Sequence, residues 1–100
     1  MNVTFRLDKD ILYIALEGRI DASNAAVAEE KIFAIKNEKP GKHIVLDADT
    51  LEYVSSAGLR VILKAQKLMN AQGSMKLTGV NETVMEVFDI TGFADILTIE

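Results

Sequence analysis

Two adjacent serines, Ser55 and Ser56, are the residues of this 100-residue chain whose type and position best suit chemistry. They come directly before a strong helical pattern that begins at Ala57. A helix N-terminus presents free backbone N–H groups and the positive end of the helix dipole, and both stabilise an anion such as a serine-bound phosphate. Serine is also a preferred N-cap residue. The pair therefore has two interpretations, a phosphoacceptor or a helix cap.

Four of the acidic residues lie in the segments that could border the loop of the serines, and they are Asp21, Asp47, Asp49 and Glu52. Asp21 has two compatible interpretations, the N-cap of the first helix or part of a partner surface beside Ser56. Asp47 is expected to follow a buried strand and to accept N–H bonds from the next loop. If all four carboxylates border one loop, a phosphate there enters an acidic neighbourhood. Their spacing lacks the converging geometry that a hard cation needs, so no metal site is predicted.

The single histidine, His43, begins a short strand whose far end leads toward the serines. Five residues of strand span about 16 Å, which is too far for a catalytic pair between His43 and Ser56. The glycines at 73, 79 and 92 are too widely spaced for a loop that cradles phosphates. We therefore expect neither a serine hydrolase nor a nucleotide-binding enzyme, and no cofactor.

The apolar periodicity predicts an α/β fold in which a mixed sheet is flanked by helices, in the order β-β-α-β-α-β-α-β. Strong breaks follow the first helix at 39–41 and the second at Gly73, and Asn81 is the expected N-cap of the third. Right-handed crossovers make the later strands parallel and leave an N-terminal hairpin arm at one edge. The predicted segments are a hairpin over 3–7 and 11–16 ended by Gly18, helices over 22–36, 57–72 and 81–91, and strands over 43–47, 75–78 and 96–99.

Composition limits the function classes. The chain has the length and the apolar fraction, 49%, of one globular domain, residues 1–100. A net charge of −4 argues against nucleic-acid binding, which needs a basic surface. The absence of cysteine excludes disulfides and thiolate chemistry and agrees with a cytoplasmic location. No apolar stretch approaches the roughly 20 residues of a membrane span, so no direct membrane association is expected.

Three segments together resemble the STAS domain family of bacterial anti-sigma factor antagonists. The most specific is 55–60, SSAGLR, preceded by Leu46 and Asp47. Residues 18–22, GRIDA, are similar to the first loop of the family, and residues 88–93, FDITGF, to its segment near the third helix. The three segments occur in the family's order and span nearly the whole chain.

The resemblance implies a non-enzymatic regulator that works by partner switching. The unphosphorylated antagonist binds an anti-sigma factor that is also a serine kinase, and so releases a sigma factor. Phosphorylation by that kinase ends the complex, and a serine phosphatase restores it. The family pattern places the phosphoacceptor at Ser56, with Ser55 as the alternative. Many members carry aspartate where this chain has Ser55.

The resemblance also implies a partner-binding loop, with Asp47 in a supporting role. The predicted loop residues are Asp21, Asn24, Ser55, Ser56, Ala57 and Gly58. The exposed face of the second helix, Arg60, Lys64 and Lys67, is either a set of further partner contacts or a solvated face. The alternative function is a STAS-like interaction subunit of a signalling or lipid-transport complex that is not switched by phosphorylation.

Overall fold

The computed structural model describes residues 1–38 and 43–100, which form one four-stranded sheet with three α-helices. The expected break at 39–41 lies outside the described residues. The strands are β1 (Asn2–Asp8), β2 (Ile11–Ile20), β3 (His43–Val54) and β4 (Ser74–Thr78), and the helices are α1 (Ala25–Glu38), α2 (Ser56–Gln72) and α3 (Glu82–Thr91).

The sheet has the predicted mixed topology, with the strands in the order β1-β2-β3-β4. The hairpin strands β1 and β2 are antiparallel, and β3 and β4 continue the sheet in parallel with β2. The α/β class, the mixed sheet and the element order through α3 are therefore confirmed. The hairpin arm β1 lies at the edge, as right-handed crossovers require.

The last predicted strand, 96–99, is reduced to one parallel bridge between Leu77 and Ile99. Leu77 donates its N–H to Thr98 and accepts from Glu100, so the tail still follows β4. The N–H groups of Ile96 and Leu97 both donate to the carbonyl of Phe93 in a 3₁₀ turn over Phe93–Asp95, so the first half of the predicted strand belongs to that turn.

Both central strands run further than the sequence predicts. Gly18 does not end β2, because it adopts a positive φ of 92° at an irregularity in the pairing with β3, and the strand continues to Ile20. Glycine tolerates this conformation at a bulge without strain. Likewise β3 continues past Asp47 to Val54. The switch from strand to helix is therefore displaced to the serine pair.

The helices differ from prediction mainly at their starts. Residues 22–24 form a turn and α1 begins at Ala25, whereas α2 begins one residue earlier than predicted, at Ser56. Gly73 ends α2, and Asn81 caps α3 by accepting the N–H of Val84. Both predictions are confirmed.

The core lies between one face of the sheet and the helices. Alternate residues of the parallel strands are buried there, including Leu12, Ile14, Leu46 and Leu77. The residues between them, such as Tyr13, face a shallow groove on the opposite side of the sheet. The structure therefore has one helix-covered face and one open face.

Candidate functional site

The carboxyl ends of β2 and β3 meet at one edge of the sheet. Ile20 pairs with Val54, and the N–H of Ser55 donates a 2.8 Å hydrogen bond to the carbonyl of Ile20. Asp21 and Ser56 each lie one residue beyond this bonded pair. The structure therefore brings together the two loops that the sequence singled out.

Ser55 is the N-cap of α2. Its backbone is extended, at φ −85° and ψ 175°, and its Oγ accepts the N–H of Gly58 at 3.2 Å. Its carbonyl accepts the N–H of Leu59 at 2.8 Å, which starts the helical ladder. The capping interpretation of the serine pair is thus confirmed for Ser55, which satisfies one of the free N–H groups of the first turn.

Ser56 is the first residue of α2, and its side chain is exposed, whereas Ser55 is half-buried. An exposed hydroxyl at a helix N-terminus is open to a modifying enzyme. It also lies where the helix dipole favours negative charge. The two serines therefore differ in a way that their adjacent positions do not reveal.

Gly58 allows the N-terminus of α2 to pack directly against the ends of β2 and β3. A Cβ on Gly58 would lie 2.7 Å from Cγ2 of Ile20 and 2.7 Å from Cγ2 of Val54. It would also lie 3.0 Å from the carbonyl oxygen of Ile20. Such distances are too short for a methyl group, so Gly58 positions the helix and contributes no chemistry of its own. Ala57, beside it, is half-buried.

Asp21 and Asn24 hold the turn before α1. Oδ1 of Asp21 accepts from both the hydroxyl and the backbone N–H of Ser23, and its own N–H donates to Oδ1 of Asn24 at 2.9 Å. The two hydrogen bonds from Ser23 to the carboxylate, the one from its hydroxyl first, hold the pKa of Asp21 below its ordinary value. Asp21 therefore caps a turn rather than the first turn of α1 itself, and it is charged at neutral pH.

Beside this turn lies an arginine–tyrosine pair that no pattern in the sequence indicates. The guanidinium of Arg19 lies over the ring of Tyr53, 4.6 Å from its centroid, and the two residues are cross-strand partners. The backbone carbonyl of Arg19 also accepts a 2.9 Å hydrogen bond from Nδ2 of Asn24. Only the register of β2 on β3 reveals this pair, and that register contains two irregularities that the sequence does not show.

The expected acidic cluster around Ser56 does not form. Asp47 lies within β3, paired with Ala15 and Thr78, roughly 20 Å along the strand from Val54. Its Oδ1 accepts the N–H of Asp49 at 2.9 Å, so it makes a local backbone contact as expected, but within a strand and not in a loop. β3 continues for seven residues beyond Asp47, which places it away from this loop, and its supporting role there stays a prediction.

The two remaining carboxylates of that expected cluster lie along the later part of β3. Asp49 lies against Gly79, at the turn after β4, and Glu52 is exposed near the end of β3. Among the described residues, no group of three histidine or acidic side chains has the arrangement of a metal site.

His43 lies at the opposite end of β3 from the serines. Its Nδ1 is 2.6 Å from Oγ of Ser74, at the start of β4. The geometry therefore separates the histidine from Ser56, as the sequence predicts.

Among the cations of α2, Lys64 forms a 2.8 Å ion pair with Glu29 of α1, while Arg60 remains exposed. Lys67, the third cation of this stripe, is exposed as well.

In the part of the chain that the structure describes, none of the helices has the length and the apolar character that crossing a membrane requires.

The site and the fold agree with one family. The sequence profile of the STAS domain matches residues 2–100, and the chain belongs to the STAS domain family.

Its relatives include regulators named as anti-sigma factor antagonists. BtrV of Bordetella bronchiseptica, a candidate anti-sigma factor antagonist, is 36% identical over 100 residues, which cover 99% of this chain and 85% of BtrV. The anti-sigma-B factor antagonist of Bacillus subtilis is 31% identical over 100 residues, covering 99% of this chain and 90% of that protein.

Solved structures share the fold. The unphosphorylated form of the Bacillus anti-sigma factor antagonist SpoIIAA superposes with a TM-score of 0.78 at 19% identity, covering 99% of this chain and 88% of SpoIIAA. Its phosphorylated form superposes with a TM-score of 0.72 at 18% identity, covering 99% of this chain and 91% of SpoIIAA.

Proposed function

We propose that this protein is a cytoplasmic anti-sigma factor antagonist that binds an anti-sigma factor serine kinase and is released when Ser56 is phosphorylated. A serine phosphatase then returns it to the binding form. The protein supplies the binding surface and the acceptor hydroxyl, and the kinase supplies ATP and catalysis. The observation that carries the proposal is the division of labour between the serines, in which Ser55 caps α2 and Ser56 stays exposed.

The geometry favours Ser56 over Ser55 as the acceptor. Phosphorylation of Ser55 would esterify the oxygen that accepts the Gly58 N–H, so the cap hydrogen bond of α2 would have to rearrange. Phosphorylation of Ser56 disturbs no hydrogen bond of the cap. The phosphate would also lie beside the positive end of the helix dipole, which stabilises it by about 0.3–1 kcal/mol.

The same phosphate weakens binding of a partner to this surface. It adds about 1.5 to 2 negative charges at neutral pH, next to a turn in which Asp21 is already ionised. A partner that buries the neutral hydroxyl would have to desolvate and oppose that charge. A loss of only about 3 kcal/mol weakens a complex more than a hundredfold.

Ser55 replaces the aspartate of many family members with a neutral cap. Both side chains can accept the N–H bond that starts the helix, so capping is kept. The negative charge beside the acceptor is lost, which reduces repulsion of the incoming phosphate. We propose that the kinase of this system recognises the acceptor without an adjacent acidic residue.

The proposed partner surface consists of the 21–24 turn and the N-terminus of α2, extended by the Arg19–Tyr53 pair. Tyrosine and arginine are enriched among residues that dominate binding energy at interfaces. Asp21 and Asn24 contribute mainly by shaping the turn, since their side chains make hydrogen bonds within it.

Intact-mass measurement with fragmentation tests the phosphorylation. The protein is purified from its own cells and is also incubated with cell extract and ATP, beside the variants Ser55→Ala and Ser56→Ala. Ser74→Ala is the matched control, because Ser74 is exposed at the opposite end of the sheet. We expect one added phosphate that only Ser56→Ala abolishes.

A pull-down from the same extract tests the switch. Ser56→Ala should retain an ATP-binding partner that Ser56→Asp loses. A phosphate that persists in Ser56→Ala, or a protein that is unmodified under every condition, would refute the phosphoacceptor. Capture of transport subunits in place of a kinase would instead support the constitutive interaction subunit.

A further inference from the structure

The edge strand β1 carries an exposed apolar row that the partner surface does not use. Val3, Phe5 and Leu7 lie on the helix-side face of the sheet, since they pair with the buried residues of β2, Leu16, Ile14 and Leu12. Phe5 and Leu7 nevertheless remain 47% and 45% exposed. An uncharged row on an open edge strand is a template for pairing with another strand.

Arg6, the one cation within β1, does not lie along the open edge of the strand, where a charge would discourage pairing with another strand. The guanidinium of Arg6 lies over the ring of Tyr13 on β2, 4.2 Å from its centroid, and 3.9 Å from Asp8. Charged side chains on an edge normally discourage edge-to-edge pairing. Here the arginine leans inward over the sheet, so the backbone edge of β1 stays open.

The sequence of β1, NVTFRLD, is self-complementary when two copies run antiparallel about Phe5. In that register Phe5 faces its own copy and Val3 faces Leu7, so the apolar row is continuous across the junction. On the other face Thr4 lies opposite Arg6, and Asn2 lies opposite Asp8. Like charges directly opposite each other would destabilise the pairing, and this register places none opposite each other. A register shifted by one residue would place apolar side chains against polar ones.

We propose that two copies of this protein associate through β1 into a symmetric antiparallel dimer. The contact is isologous, because each residue meets its partner through the same two-fold axis. The two four-stranded sheets join into one sheet of eight strands with all helices on the same side. The parallel strands of the two copies point in opposite directions, so the Ser56 surfaces lie at opposite ends and both stay accessible. The proposal does not depend on the function of Ser56.

Sedimentation equilibrium over about 10 μM to 1 mM protein, the range of weak complexes, tests the dimer. We expect a concentration-dependent monomer–dimer equilibrium in the unmodified protein. Phe5→Lys places two lysines opposite each other at the axis and should leave monomer only. Ile90→Lys is the matched control, because Ile90 is 84% exposed on α3, away from the edge, and its replacement should leave the dimer intact.

Charge changes at Thr4 test the register. Thr4→Lys places a cation opposite Arg6 of the second copy at two symmetric positions and should weaken the dimer on the order of tenfold. Thr4→Glu should strengthen it by a similar factor. Circular dichroism confirms that each variant is folded.

Three outcomes would overturn the proposal. They are a protein that stays monomeric to the top of the concentration range, a dimer that survives Phe5→Lys in a folded protein, and equal responses to both charges at Thr4. None of them bears on phosphorylation, which is measured by mass.

Discussion

The two serines differ in role because only the side chain of Ser55 makes the hydrogen bond that caps α2. Ser55 uses its Oγ to accept the Gly58 N–H and is half-buried, whereas Ser56 points its side chain to solvent. The helix start is therefore stabilised by one serine and remains modifiable at the other.

Replacing the capping serine, Ser55, should lower the stability of the protein, whereas replacing Ser56 should not. We expect Ser55→Ala to reduce the free energy of unfolding by about 1 kcal/mol, because the Gly58 N–H loses its acceptor. Ser55→Asp should retain it. Urea denaturation measures the change as a shift of midpoint at constant slope. Ser56→Ala is the control, and an equal loss in that variant would contradict the assignment of the cap.

The hydroxyl of Ser23 should control the pKa of Asp21. In the folded protein that pKa lies below its ordinary value. The hydrogen bonds to Asp21 therefore stabilise the fold fully when the pH is above the ordinary pKa of aspartate. This stability is lost as the pH falls through the lowered pKa. NMR titration of the Asp21 carboxyl should show its pKa rising toward 3.8 in Ser23→Ala. The stability difference between wild type and Ser23→Ala should be present at neutral pH and shrink in acid.

An unchanged Asp21 pKa in Ser23→Ala would contradict the role given to the hydroxyl. Thr83→Ala, at an exposed position on α3, is a control for a general effect of removing one hydroxyl group from the surface.

At the scale of elements, the site depends on how α2 meets the two central strands. The N–H of Ser55 bonds to Ile20, and Gly58 lets the helix backbone approach the ends of both strands. The contact joins three elements at the helix start that carries Ser56. A longer side chain at 58 would therefore displace the helix start and Ser56 together.

Gly58→Ala should destabilise the fold despite the better helix propensity of alanine. Propensity alone would gain up to about 1 kcal/mol, while overpacking of a tight contact costs about 1–3 kcal/mol. We expect a net loss, measured by thermal or urea unfolding. Val54→Ala removes one of the two methyl groups that the new Cβ would meet, so the double variant should lose less than the sum of the singles. A stabilised Gly58→Ala would show that the contact yields without cost.

At the scale of the whole molecule, the proposed switch would act on a surface and not on the fold. The proposed acceptor lies at the end of the sheet, and the core between sheet and helices contains neither residue of the serine pair. A phosphate at Ser56 meets solvent and the helix N-terminus, both of which accommodate negative charge.

We therefore expect the phosphorylated protein to remain folded. Its melting temperature should stay within about 4–8 °C of the unmodified protein, the shift that 1 kcal/mol produces in a domain of this size. Calorimetry on the two forms separated by anion exchange measures this, with Ser56→Asp as a stand-in. A larger fall in melting temperature, or loss of the far-ultraviolet circular dichroism of helices, would show that release of the partner follows from unfolding.

Much of this fold was accessible from local patterns. The 3.6-residue spacing around Val61, Ile62 and Ala65 specified α2, and all three are buried as it requires. The hairpin, the parallel strands and the caps at Asn81 and Gly73 also follow from short-range chemistry. The serine pair could be selected as a candidate site because its position before a helix is a property of the sequence alone.

Features that depend on the pairing register of β2 and β3 could be identified only in the tertiary structure. The strands β2 and β3 continue past Gly18 and Asp47, because pairing between strands stabilises segments that local propensity does not mark as strand. That extension removed Asp47 from the serine loop and placed Arg19 on Tyr53.

The amino-acid sequence by itself determined the class of fold, the helix that carries the proposed acceptor and the pair of candidate serines. The tertiary structure decided which serine is a cap and which is exposed, and which carboxylates lie near them. The reason is physical: periodicity and capping act over a few residues, whereas exposure and cross-strand contact depend on segments far apart in the chain.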